Sequence, residues 1–283
     1  MHLQRSSALD ELGHLGGMAL APLAALLTLA RRARGLHPDG VVYRAHVRVA
    51  AQSIPGALAP IASAMEGAAI VRFSGALWRK GKLWPDILGL ALRLTDRDAP
   101  VSAHAREGDQ DILFATLSSP WTLGFAPFAT NVASYLANDF NALAPFEAGL
   151  EHPIQLRVRP PPVADAAGTS READLERAVE EGRAVLAIQA RTRTGMLRHS
   201  AWSTVADLVL EERARVNQRT LQFSPFRNGR GLRPSGFLTE MRRAPYAASQ
   251  AVRGGDAFDL QHYVGVGAPL WFDRAPSSRA PEH

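Results

Sequence analysis

Cysteine is absent from the chain. That excludes disulfides, iron–sulfur clusters, cysteine-ligated zinc, thiolate-ligated haem and a cysteine nucleophile, and it suits a reducing, cytoplasmic setting. Lysine is almost absent: only Lys80 and Lys82 occur, so arginine supplies 30 of the 32 cations. Arginine suits planar, bidentate grips on carboxylate or phosphate, although its abundance beside so much alanine also reads as codon bias. No basic run exceeds two residues and acids are interspersed, so the net charge of +5 does not point to nucleic acid as a partner. The nine histidines form no H-x-H or H-E-x-x-H, which leaves a metal-dependent hydrolase without a ligand set.

Long hydrophobic runs are scarce as well. Residues 12–30 carry no formal charge, but they hold three glycines, a proline and a histidine, and lack the cationic flank of a signal peptide. Leu20, Leu23, Leu27 and Ala30 make one apolar helical face that runs into Arg31, Arg32 and Arg34, cations that suit a helix C-terminus. Residues 1–30 read as a packing arm, with membrane association of that arm as the lesser alternative.

What is present is an ordinary globular composition. Of the 283 residues 46% are apolar and 21% charged, enough for a real core in one large domain or two small ones. After Gly40, Val41, Tyr43, Ala45, Val47 and Val49 alternate with Val42, Arg44, His46 and Arg48, which predicts a half-buried strand. Further strands are expected at 68–74, 87–95, 110–117, 153–158, 184–190, 201–210 and 220–225. Helices are expected at 130–145, 172–181 and 237–252. The middle helix opens on a capping box, Thr169-x-x-Glu172, and stops at Gly182. Proline-rich 159–168 reads as a linker, and 274–283 as a polar, disordered tail. Strands in runs, with helices between and after them, predict an α+β fold with a mostly antiparallel sheet or barrel.

Several familiar patterns fail. Residues 265–270 (GVGAPL) lack the third glycine and the setting of a dinucleotide fingerprint. Ser74 in RFSGA is not a G-x-S-x-G elbow, and Asp96 and Asp98 lack the other ligands of a calcium loop.

Four segments, in order, carry a resemblance. Arg34-Gly-Leu-His37-Pro-Asp-Gly40 leads into an alternating strand; Val71-Arg72-Phe73-Ser74 follows; then comes Asp86-Ile-Leu-Gly89-Leu-Ala91-Leu-Arg93; and Met241-Arg242-Arg-Ala-Pro-Tyr246 stands near the end, with Arg253 seven residues beyond the tyrosine. Together they resemble the distal motif, the V-R-F-S strand, the D-x-R-G-x-A-x-K stretch and the proximal R-x-x-x-Y of the haem-catalase superfamily. The chain is nearest to its short, catalase-related peroxidase-like members, and the likeness covers roughly residues 30–255.

The resemblance implies a single catalase-like domain over 31–273, an antiparallel β-barrel with peripheral helices that binds haem b. It implies Tyr246 as the axial iron ligand, with Arg242 one helical turn away stabilising its phenolate against an ordinary pKa of about 10. It implies His37 as the general acid–base toward a bound peroxide and Ser74 as the hydrogen-bond partner orienting that imidazole. Arg34, Arg72 and Arg253 would pair with the haem propionates, and Phe128, with Phe125 as a second candidate, would pack on the haem face.

There are departures. Leu88 replaces the family's arginine, Pro245 precedes the ligand tyrosine, and the family's distal asparagine falls at Ala115, or at Leu117 or Ser118 with a shifted gap, Thr116 being a partial substitute. The implied activity is oxidation with hydrogen peroxide or an organic hydroperoxide, peroxidase-like with weak catalase turnover. The alternatives are a catalase-fold protein without turnover, with or without haem, and, behind it, a hydrolase using the barrel cavity. Apart from the family, His37 reads as a capping or surface residue, Tyr246 as a core tyrosine and Ser74 as a polar face residue. The oligomeric state is open, a homo-oligomer included.

Overall fold

The computed structural model describes residues 40–76, 84–95, 104–117, 125–142, 144–161, 170–192, 199–216, 221–236 and 239. The N-terminal arm, His37, the helix expected at 237–252 (Thr239 apart) and both expected domain boundaries fall outside them.

Period-two hydrophobicity dictates the architecture. On β1 (Gly40–Val49), Val41, Tyr43, Ala45 and Val47 all turn into one core. The same alternation puts Ala69, Val71 and Phe73 of β2 (Gly67–Gly75) there, with Leu88, Leu90, Leu92 and Leu94 of β3 (Leu88–Leu94). Ile112 and Phe114 of β4 (Gln110–Ala115), Phe140 of β5 (Phe140–Ala142) and Ile154, Leu156 and Val158 of β7 (Ile154–Arg159) continue it. β8 (Val185–Thr192) and β9 (Ser203–Arg213) complete the wall. The order is β7-β5-β4-β3-β2-β1-β9-β8, and β8 pairs back to β7, so eight antiparallel strands close into a barrel. The short β6 (Phe146–Glu147) and β10 (Arg233–Pro234) hang from β7 as a flap. Each interior leucine removed from water stabilises the closed form by about 1.5–3 kcal/mol.

Helices close the ends. α1 (Ala59–Met65) starts with proline in its first turn, where no N–H is needed, and buries Ile61, Ala62 and Met65 where β1 finishes. α2 (Ala126–Ala129) is one turn outside the wall. α3 (Arg171–Glu180) buries Leu175 and Ala178 in the core, and its Glu176 lies 3.3 Å from Arg213, the partner of Tyr43 at the end where β1 begins. α3 is capped by Ser170, whose hydroxyl accepts from the Ala173 N–H, and it ends before Gly182 at φ 67°. No helix among the described residues is long and apolar enough to cross a membrane.

Three expectations are corrected. The helix expected at 130–145 does not form among the described residues of that stretch, which hold only a 3-10 turn at Tyr135–Ala137: Asn131, Ser134 and Asn138 bond to nearby backbone, which competes with a helix, and Phe140 is drawn into the barrel as a strand. Residues 221–224 form no strand and lie across the outside of the wall. β1 is covered on both faces near Val42, because Leu221 and Phe223 of that crossing segment pack on it.

Candidate functional site

Because Ala69, Val71 and Phe73 point inward, Arg72 and Ser74 point outward, and both are only 3% exposed. The register sets one outer row at this end of the barrel: Gly40 faces Ser74, Ser74 faces Gly89, Gly89 faces Ala115 and Ala115 faces Asn141. The middle of the row has almost no side-chain bulk. Gly40 is required, since a Cβ there would fall 2.8 Å from the Arg72 Cζ and against the Phe73 carbonyl. The glycine of one sequence motif thus seats the arginine of another.

Thr116, after β4, is committed to structure. Its hydroxyl accepts from the Leu88 N–H at 3.0 Å and meets the Thr130 hydroxyl at 2.8 Å, which in turn donates to the Ala126 carbonyl. This chain ties α2 to the wall, leaving Phe125 and Phe128 turned to solvent at 78% and 76% exposure. Phe128 therefore offers a bare aromatic face at this end. Of the other residues expected in the site, Arg34, His37, Arg242, Tyr246 and Arg253 lie outside the described residues, so Arg72, Ser74 and Phe128, with the second candidate Phe125, are the ones placed.

Below the row, the crossing segment sits over a buried ionic cluster. Arg93 grips both oxygens of Asp111, at 2.8 and 3.0 Å, and donates also to the Gln222 carbonyl. Arg227 donates to the same Asp111, as does the Ser224 N–H at 2.8 Å. Asp109 stands 3.9 Å from Arg93, and the Phe223 ring lies 5.0 Å from the Arg93 guanidinium. Two cations and two carboxylates balance. Arg93 stands in one of the sequence motifs but the cluster was not foreseen; the available signal was a pair of charges, Arg93 and Asp111, in strands that are apolar apart from Gln110. A small cleft beside it is lined by Asp111, Leu113, Phe146, Phe226, Pro234 and Thr239.

The opposite wall is polar. Arg157 of β7 and Arg191 of β8 each hold a guanidinium 4.4 Å from the Trp202 ring centre, and burial lowers both pKa values. Two tyrosines face into the barrel. Burial pushes the Tyr43 hydroxyl up to about 12, with Glu176 adding to it, and pushes Tyr135 higher still against the pull of Arg171. Neither is poised to act as a phenolate. No group of three or more metal-ligating His, Asp or Glu residues occurs among the described residues.

No family model matches the chain, and no curated protein sequence matches it. Solved structures do. A fungal catalase superposes with TM-score 0.54 at 15% identity, over 85% of this chain and 64% of that one. Catalase A from Saccharomyces cerevisiae gives TM-score 0.52 at 15% identity, over 84% and 64%. The chain has the catalase-like barrel fold, and it spans about 64% of the length of these neighbours.

Proposed function

We propose that the protein is a haem-binding oxidoreductase that reacts with hydrogen peroxide or an organic hydroperoxide, peroxidase-like and weak in catalase turnover. The observation that supports this best is the meeting of Gly40, Arg72 and Ser74 on one outer wall. Two motifs separated by thirty-odd residues are joined there, three residues along the chain from His37, a span of no more than about 11 Å. The fold alone would not carry the reading, because one fold hosts many functions.

The described residues are of the kinds that a flat, anionic, largely apolar group takes. Gly89 and Ala115 add little side-chain bulk to the wall; buried Arg72 carries planar donors of the type that suits a carboxylate; Phe128 exposes an apolar ring. Haem iron, when bound, would supply the redox chemistry. Arg72, with Arg34 and Arg253, would anchor the propionates. Tyr246 would ligate, its charge supported by Arg242, a role the two barrel tyrosines with raised pKa values cannot share. His37 would take a proton from one peroxide oxygen and return it to the other, held by the Ser74 hydroxyl. Purified protein expressed with ample haem should show a Soret band and oxidise a reporter donor on addition of peroxide. A colourless protein that takes up no haemin would leave a barrel used for binding without turnover.

A further inference from the structure

A segment without regular structure must still find partners for its backbone groups. Residues 221–232 take several of theirs from the side chains and backbone of residues 109–111 beneath. The carbonyls of Arg227 and Leu232 accept from the Gln110 amide at 2.9 and 3.0 Å, and the Leu232 N–H donates back to Gln110 at 3.2 Å. The Gly229 N–H donates to the Asp109 carbonyl at 2.9 Å, so closely that a Cβ on Gly229 would fall 2.7 Å from that oxygen. Further on, the Ser235 N–H donates to the Pro145 carbonyl at 2.9 Å, and buried Thr239 donates to the Ser235 carbonyl at 3.0 Å. The strap is thus fixed from the barrel wall to a point three residues before Arg242.

We propose that Asp111 is a positioning residue, a latch whose one carboxylate joins the barrel's Arg93 to the strap's Arg227 and so sets where the chain carrying Arg242 and Tyr246 begins. This rests on the haem reading above and deepens it. The geometry divides the labour. Arg93 already satisfies both Asp111 oxygens from the barrel side, so the pair would persist without the strap; Arg227 and the Ser224 N–H are the strap's own contribution. Buried ion pairs add little net stability but fix one arrangement among several. Here the arrangement fixed is the register of the strap on the wall that bears Arg72 and Ser74.

The experiment compares full-length wild type, Arg227→Gln, Arg227→Lys and Asp111→Asn, by hydrogen exchange and by haemin titration. Arg227→Gln keeps the Arg93–Asp111 pair, so it is the variant that folds if Asp111→Asn does not. Strap peptides over 222–232 should exchange at least about tenfold faster while β1 and β8 peptides stay protected. Haemin affinity should weaken about 10–100-fold with a shifted Soret maximum, and Arg227→Lys should recover part of both. A loosened strap with unchanged haemin affinity and Soret position overturns the positioning role, as does a strap whose exchange is unchanged. If wild type takes up no haemin, the haem reading fails by itself. The latch then stands on exchange alone: acceleration confined to the strap sustains it, and global acceleration refutes it.

Discussion

The α-carbon of Gly40 backs directly onto the guanidinium of Arg72: a methyl group added there would lie 2.8 Å from Cζ. Strand pairing sets the contact, because Gly40 faces Ser74 and Val42 faces Arg72 across β1 and β2. The start of the first strand and the outward arginine of the second are therefore one unit.

Gly40→Ala tests that unit. With backbone on one side and a buried guanidinium on the other, the added methyl must displace one of them. A loss of about 1–3 kcal/mol in stability is expected, the range for overpacking a close contact. Urea unfolding measures it, and haemin affinity should fall alongside through Arg72. An unchanged midpoint would mean that the strand end yields freely.

Tyr43→Phe should be neutral or stabilising, by up to about 1 kcal/mol, because the buried Tyr43 hydroxyl has no hydrogen-bond partner among the described residues. A pH series adds a signed test. The folded pKa, about 12, is raised above the ordinary value, so the folded state holds its proton longer. That contribution is complete below about pH 10 and is lost as pH rises toward 12. Wild type should therefore destabilise more steeply than the variant over that window; parallel curves would contradict the assignment.

Tyr246→Phe and His37→Ala separate the two sides of the proposed site. The first should lose haemin or bind it weakly. The second should keep the Soret band while the spectral response to peroxide slows about 10²–10⁴-fold, as for a lost general acid–base. Stopped-flow mixing distinguishes them, and equal rates for His37→Ala and wild type would return that histidine to a structural role.

Oxygen release from hydrogen peroxide should be weak beside oxidation of a donor, and a fatty-acid hydroperoxide should serve as well. Ala115 brings no amide, and the Thr116 hydroxyl is spent on Leu88 and Thr130. A missing preorganised donor in such a site costs about 10²–10³ in rate. Vigorous oxygen release would contradict this and direct attention to Asn141, the neighbour of Ala115 in register.

The barrel was legible because alternation is a local code: Val41, Tyr43, Ala45 and Val47 declare their face without reference to distant chain. β2, β3, β4, β7, β8 and β9 follow suit, each within a few residues of expectation. Burial of Val42 was not legible, since it depends on Phe223, which comes far later in the chain. Residues 221–224 have the apolar spacing of a strand, but Arg93 claims the Gln222 carbonyl and Asp111 the Ser224 N–H. The helix expected over 130–145 gives way to Asn131, Ser134 and Asn138, whose side chains bond backbone locally. Of the candidate site, the pairing of Gly40 with Arg72 is a tertiary fact that two short motifs could only suggest by their order.

Barrel closure joins the first strand to the last: Tyr43 pairs with Arg213 and Val49 with Ala206. During synthesis the β1 edge therefore leaves the ribosome long before its partner exists. At about 5–20 residues per second, that edge of unpaired N–H and C=O groups waits on the order of ten seconds or more for its strand. Val42 waits longer still, until Phe223 follows. The early strands of this chain thus hold an open pairing edge until residues 203–213 have been made.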